Sequence, residues 1–126
     1  MAREIQYQVQ MRLDNGTLSD NYVSPSLRVD QAVARLVRNT QSIPNTPTLL
    51  DCGDLITPGM AIFVNLSETD TDYVEVGNYV GGTFYPFLKV AYLDQQCCRV
   101  GIPCAQLYAQ SNNAGGVMFY YIIYNA

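Results

Sequence analysis

Side chains that do chemistry in enzymes are sparse in this chain, and they form few of the usual sets. Histidine is absent, which removes the commonest general base and with it the Ser-His and Cys-His pairs. Carboxylates gather at Glu68-Thr69-Asp70-Thr71-Asp72, just before Glu75. Glu75 with Asp72 or Asp70 is the kind of carboxylate pair that glycoside hydrolysis uses. The plainer reading is preferred: a polar turn, then an outward-facing charge on a strand between Val74 and Val76. The same acidic run has the composition of a calcium loop, but the glycine and closing glutamate of an EF-hand are missing. It reads as a solvated loop tip. The four cysteines, Cys52, Cys97, Cys98 and Cys104, fit no zinc spacing. In a reducing compartment they are free thiols that pack as small buried hydrophobes. No Gly-rich phosphate loop precedes a helix. The expectation is a protein that is not an enzyme, with no catalytic residues, no metal and no cofactor.

Surface chemistry is the remaining source of function. The chain has ten tyrosines and no tryptophan. Tyr79 and Tyr92, in or near loops, are the residues a carbohydrate-binding module would use for stacking. Charged residues make up 14% of the chain, against roughly 25% in ordinary soluble domains. Lys89 is the only lysine. A lone small domain normally keeps a more charged surface for solubility, so neighbours are expected to cover part of this one. The net charge is −4 with no basic patch, which argues against nucleic acid as the main partner. No apolar run reaches the roughly 18 residues of a membrane-spanning helix. The opening residues lack the apolar stretch of a secretory signal, so folding in the cytoplasm is expected.

The elements that must position this surface are strands. Ile5, Tyr7, Val9, Met11 and Leu13 alternate with Glu4, Gln6, Gln8, Gln10, Arg12 and Asp14, the pattern of one long half-buried strand. Asp14-Asn15-Gly16 predicts a hairpin turn, with a return strand near Thr17 to Val23. Ser24-Pro25-Ser26 breaks it, and Leu27 to Gln31 is a short strand. Ala32 to Thr40 has mixed helical and alternating character and is read as a strand. Ile43 to Pro47 is a rigid connector, because proline cannot donate to a ladder. Asp51 to Asp54 and Thr57-Pro58-Gly59 are turns.

The stretch from Met60 to Val90 holds three extended runs: Ala61 to Val64, Tyr73 to Val76, and Phe84 to Leu88. Polar and Gly-Gly turns separate them. Further strands are expected at Cys97 to Val100 and along Ala105 to Gln110. Ser111 to Gly116 is a hairpin loop. The last strand, Val117 to Tyr124, is apolar on both faces. Val117, Phe119, Tyr121 and Ile123 share one face; Met118, Tyr120, Ile122 and Tyr124 share the other. A strand with one wet face should not look like this. Its outer face is read as meeting another subunit, which tyrosine enrichment favours. The whole, 1–126, is read as one all-β domain. It is expected to be an antiparallel β-sandwich or jelly roll of eight to ten short strands.

The centre of the chain resembles small virion structural proteins of tailed bacteriophages. The likeness rests on Asn65-Leu66, then Asp72-Tyr73-Val74-Glu75-Val76-Gly77, Gly81-Gly82-Thr83-Phe84 and Pro86-Phe87-Leu88-Lys89-Val90. It extends to Ala2-Arg3-Glu4-Ile5, Asp14-Asn15-Gly16, Arg28-Val29-Asp30-Gln31, Leu107-Tyr108-Ala109-Gln110 and the final apolar strand. The chain departs from the pattern at Ala91 to Gln96 and from Ala32 to Pro47.

The resemblance implies a structural role in the virion, assembled in the host cytoplasm. Within that role the reading is a capsid decoration or cement protein that bridges major capsid subunits, as a dimer or trimer. A tail or head–tail connector component is the alternative within the class, and the carbohydrate-binding module the alternative outside it. The contact residues expected from pattern are Tyr120, Ile122 and Tyr124, with Phe84, Tyr85 and Phe87 as a second patch.

Overall fold

The computed structural model describes residues 4–32, 34–55 and 57–126. Ala2-Arg3 of the opening motif, and Val33 within the strand expected over Ala32 to Thr40, lie outside them. The described residues form antiparallel strands, in chain order β1 (Ile5–Tyr7), β2 (Gln10–Asn15), β3 (Leu18–Val23), β4 (Leu27–Val29), β5 (Leu36–Ile43), β6 (Thr48–Leu49), β7 (Pro58–Asn65), β8 (Val74–Val80), β9 (Thr83–Val90), β10 (Gln95–Arg99), β11 (Leu107–Ser111) and β12 (Val117–Asn125). One 3-10 turn, Cys104–Gln106, sits where alternation had suggested strand from Ala105. The all-β antiparallel class is as expected, but the strands number twelve rather than eight to ten. The excess comes from the division of the expected first strand into β1 and β2 and from the two-residue β6. Periodicity is too short a signal to detect these. The chain divides into two compact units, Met1–Ala32 and Val33–Ala126.

The first unit is a two-stranded ribbon. β2 pairs with β3 and β1 pairs with β4. The long strand expected from Glu4 to Asp14 is interrupted at Gln8-Val9, where the facing segment between β3 and β4 contains Pro25. A proline has no N–H to offer. Ser24 bridges the gap: its N–H donates to Val9 O at 2.8 Å, and its Oγ accepts from Val9 N–H at 2.9 Å. At the tip, Asn15 pairs with Leu18, so Gly16 is the first turn residue. Its φ of +59° is open to glycine without steric cost, and Gly at this position marks a type II′ hairpin. Asn15 itself remains in the strand. Every residue of β2 and β3 is exposed, so the expectation of a half-buried strand fails here. Alternation was present, but within the unit no second layer covers the apolar side.

The second unit contains two four-stranded sheets. Their orders are β10-β7-β12-β5 and β6-β11-β8-β9. Both contribute inward residues to one hydrophobic cluster: Ile43, Phe63, Phe119, Tyr121 and Ile123 from the first sheet; Val74, Val76, Val90, Leu107 and Ala109 from the second. Phe63 stacks on Phe119 at 5.7 Å between ring centres. β12 lies between β5 and β7 along most of its length, which explains why its sequence tolerates no polar run.

Boundaries moved where proline and local hydrogen bonding overrode propensity. β5 starts at Leu36 and runs through Ile43, later than the expected Ala32 to Thr40. Pro58 opens β7, a strand-start position where a missing donor is tolerated. A bulge separates Val76 and Gly77 on β8, leaving Phe87 of β9 without a register partner. A Cβ on Gly77 would collide with the Tyr85–Pro86 backbone, so only glycine fits this close approach.

Candidate interaction surfaces

Because β12 is central, its alternation sorts its side chains cleanly. Val117, Phe119, Tyr121 and Ile123 are buried, and Tyr120, Ile122 and Tyr124 are half-buried on the other face. Register then builds the neighbourhood. Tyr120 lies between Thr40 and Val64, Ile122 between Arg38 and Ile62, and Tyr124 beside Leu36. One strand further, Cys97 is opposite Ile62 and Gln95 opposite Val64. The outer face of this sheet thus carries a contiguous apolar and tyrosine column two strands wide, edged by Arg38, Thr40 and Gln95. Pattern reading had found Tyr120, Ile122 and Tyr124, and the structure brings these three together. It had missed Ile62, Val64 and Leu36. The available signal was Ala61 to Val64, a run apolar on both faces like β12 itself.

On the inner face, Tyr121 holds its polar end in place. Its hydroxyl lies 2.7 Å from Asp51 O and 3.0 Å from Gln41 Oε1, and accepts from Asn39 Nδ2 at 3.1 Å. Burial raises the hydroxyl pKa above its ordinary value, and the Asn39 hydrogen bond partly opposes this. A buried hydroxyl with partners is the usual way a tyrosine enters a core.

The second expected patch does not assemble as one surface. Phe84 and Tyr85 are consecutive strand residues and project to opposite faces. Phe84 is half-buried opposite Tyr79. Tyr85 and Phe87 are exposed on an edge strand, Phe87 at the bulge.

The acidic loop is structural in its contacts. The Asp72 carboxylate accepts from Ser67 Oγ at 2.7 Å and from Asn113 Nδ2 at 3.5 Å. Asn112 ties the loop to β11–β12 by donating to Thr71 O at 2.8 Å and accepting from Tyr73 N–H at 3.0 Å. Asn65, buried at the end of β7, donates to Asp72 O and Val90 O. Glu75 instead sits opposite Lys89 and Gln110, and Lys89 Nζ lies 4.1 Å above the Tyr73 ring. The Asp72 carboxylate is thus held within its loop, while Glu75 lies on the strand among its cross-strand neighbours.

The thiols are all free. Cys52 and Cys104 are buried, whereas Cys97 is exposed and Cys98 is half-buried against the core. Treating all four as buried hydrophobes was thus wrong for Cys97, which faces outward beside Ile62. Burial, reinforced by the adjacent Cys104, pushes the Cys52 thiol up to about 12. Burial also raises Cys97 and Cys98. Raised thiol pKa values suppress the nucleophilic thiolate at neutral pH. Among the described residues no group of three or more metal-ligating side chains comes together.

Of the tyrosines flagged for sugar stacking, Tyr79 pairs with Tyr108 at 4.6 Å between ring centres. Tyr92 lies in the turn after β9. Comparison with family models, curated proteins and solved structures finds no match to this chain.

Proposed function

We propose that the chain is a non-enzymatic structural protein of a tailed-phage virion, and that it decorates the capsid by bridging major capsid subunits. The observation that carries this reading is the outer face built on β12. Tyr120, Ile122, Tyr124, Ile62 and Val64 form one apolar column on a sheet surface. Interface cores are depleted in charge and enriched in tyrosine. A decoration subunit binds only the assembled lattice, so its binding stabilises the shell by mass action.

The strand orders support a sandwich of jelly-roll type. Counting from β5 as the first of eight, the sheets run 1-8-3-6 and 2-7-4-5. Jelly rolls interleave two Greek keys in this way and recur in viral capsid and lectin domains. Architecture alone does not choose among those uses; the apolar sheet face and the phage-like central motif favour the virion role.

Mass spectrometry of purified particles of the encoding phage tests the reading. The chain is expected at a fixed ratio to the major capsid protein. Its absence from washed particles contradicts the proposal. Recovery on isolated tails would move the chain to the tail or connector. A Tyr120→Asp variant is expected to fold and to be lost from particles.

The Tyr79–Tyr108 pair favours one second reading, a carbohydrate-binding module. A glycan array with wild type and Tyr79→Ala separates the two. Binding that is lost in the variant supports the module.

A further inference from the structure

The ribbon of the first unit is a surface that the β12 face does not account for. Register places Met11 opposite Tyr22, Leu13 opposite Asp20 and Asn15 opposite Leu18. Opposed residues share a face, so Met11, Leu13, Leu18 and Tyr22 crowd onto one side. Gln10, Arg12, Asp14, Ser19 and Asn21 occupy the other, with Val23, opposite Gln10, as its one apolar member. Met11 is 72% exposed, Leu18 59% and Tyr22 57%. Single exposed apolar residues are ordinary on protein surfaces, but a contiguous one-sided group marks an interaction site. A two-stranded hairpin is also marginal by itself in water; three or more strands with a covered apolar face are needed.

We infer that this face packs against the same face of a second copy of the chain, giving a two-fold dimer held by the ribbons. The inference rests on the assembly role proposed above and names a partner for a different surface. Two stacked ribbons supply four strands in two layers, the minimum that a lone hairpin lacks. The area suits a weak, reversible contact. Ile5 to Asn15 at ~3.4 Å per residue gives a face roughly 35 Å long, and two strands make it roughly 10 Å wide. Two such faces bury roughly 700 Å² before side-chain relief is counted, in the range of transient associations. A reversible dimer with a micromolar dissociation constant is expected. Asp20 is the one charged residue that register sets among these apolar side chains, opposite Leu13. Parallel stacking would bring the two Asp20 carboxylates together, so the ribbons pack antiparallel, each tip over the partner's base. A two-fold contact of this kind is self-complementary and closes at two copies.

The test is the solution mass of the full chain by light scattering, from about one to one hundred micromolar. Three variants are measured beside the wild type: Met11→Asp, Tyr22→Ser and Ile122→Asp. The wild type and Ile122→Asp are expected to be dimers at the upper concentration and to dissociate on dilution. Met11→Asp and Tyr22→Ser are expected to dissociate at least tenfold more readily. Tyr22→Ser retains a residue that a strand accommodates, so it decides the matter if Met11→Asp disrupts the ribbon. A wild type that stays monomeric, or that forms trimers, overturns the inference. So do ribbon variants that dimerise like the wild type, or dissociation by Ile122→Asp alone. Failure here leaves a chain that can still be found in particles, whereas failure of the virion role removes it from particles whatever its mass.

Discussion

The ribbon strand Gln10–Asn15 and the closing strand Val117–Asn125 differ in both pattern and fate. The first alternates apolar and polar residues, as a strand on the edge of a core should, yet all of it is exposed. The second is apolar on both sides, yet its inner residues are buried and several outer ones are half-covered by neighbours on β5 and β7. Alternation reports which side chains share a face. Burial needs a second layer, and within the second unit the two four-stranded sheets supply it by sharing a cluster. The comparison separates residues that hold the fold together from residues that the fold leaves exposed.

The sharpest way to break that comparison is to charge the two sides of β12. Tyr121→Asp places a carboxylate where Phe63 and Phe119 pack. Burying it without a partner should cost more than about 4 kcal/mol and abolish folding, as read by circular dichroism. A folded Tyr121→Asp protein would mean that the inner face is not the core.

Gly77→Ala comes next. Its Cβ has no room beside the Tyr85–Pro86 backbone, and overpacking of this kind costs about 1–3 kcal/mol. A lower thermal midpoint, with the oligomeric state unchanged, is expected. An unchanged midpoint would show that the bulge between β8 and β9 relaxes freely.

Alkaline pH probes the same core more gently. The Cys52 thiol is raised to about 12 from an ordinary 9.0. Below pH 9 the thiol is protonated in both folded and unfolded chains, and its contribution to stability is complete. Between pH 9 and 12 the unfolded chain ionises first, so stability falls as pH rises. A thermal midpoint that declines across this range, and declines less in Cys52→Ala, is the expected record.

The smallest effect belongs to the ribbon. Tyr22→Ser and Met11→Ser should change the stability of the second unit by no more than about 0.5 kcal/mol, since exposed substitutions seldom do more. A large loss would place the ribbon among the elements that hold the fold.

The all-β class was legible because β-branched and aromatic runs recur between Gly, Pro, Asn and Asp turns. Tyr120, Ile122 and Tyr124 were legible as one face because β12 alternates cleanly, and eight consecutive apolar residues marked its outer face as unusual. Ile62 and Val64 escaped notice because register, not sequence, brings β7 beside β12. The break at Gln8-Val9 was hidden because its cause, Pro25, lies in the facing connection between β3 and β4. The split of Phe84 from Tyr85 was available from strand geometry, but the bulge at Phe87 was not. It depends on the close approach at Gly77, which has no local signature beyond the glycine itself.

Hydrogen exchange at two protein concentrations tests the account most directly. Amides of Phe119 and Tyr121 should be protected to the level of global unfolding at both, because they lie in the ladder of a central strand. Amides along Gln10–Asn15 and Leu18–Val23 should exchange quickly at about one micromolar and gain protection at about one hundred. Ribbon protection that is strong and independent of concentration would contradict the distinction between a self-sufficient core and a partner-seeking ribbon.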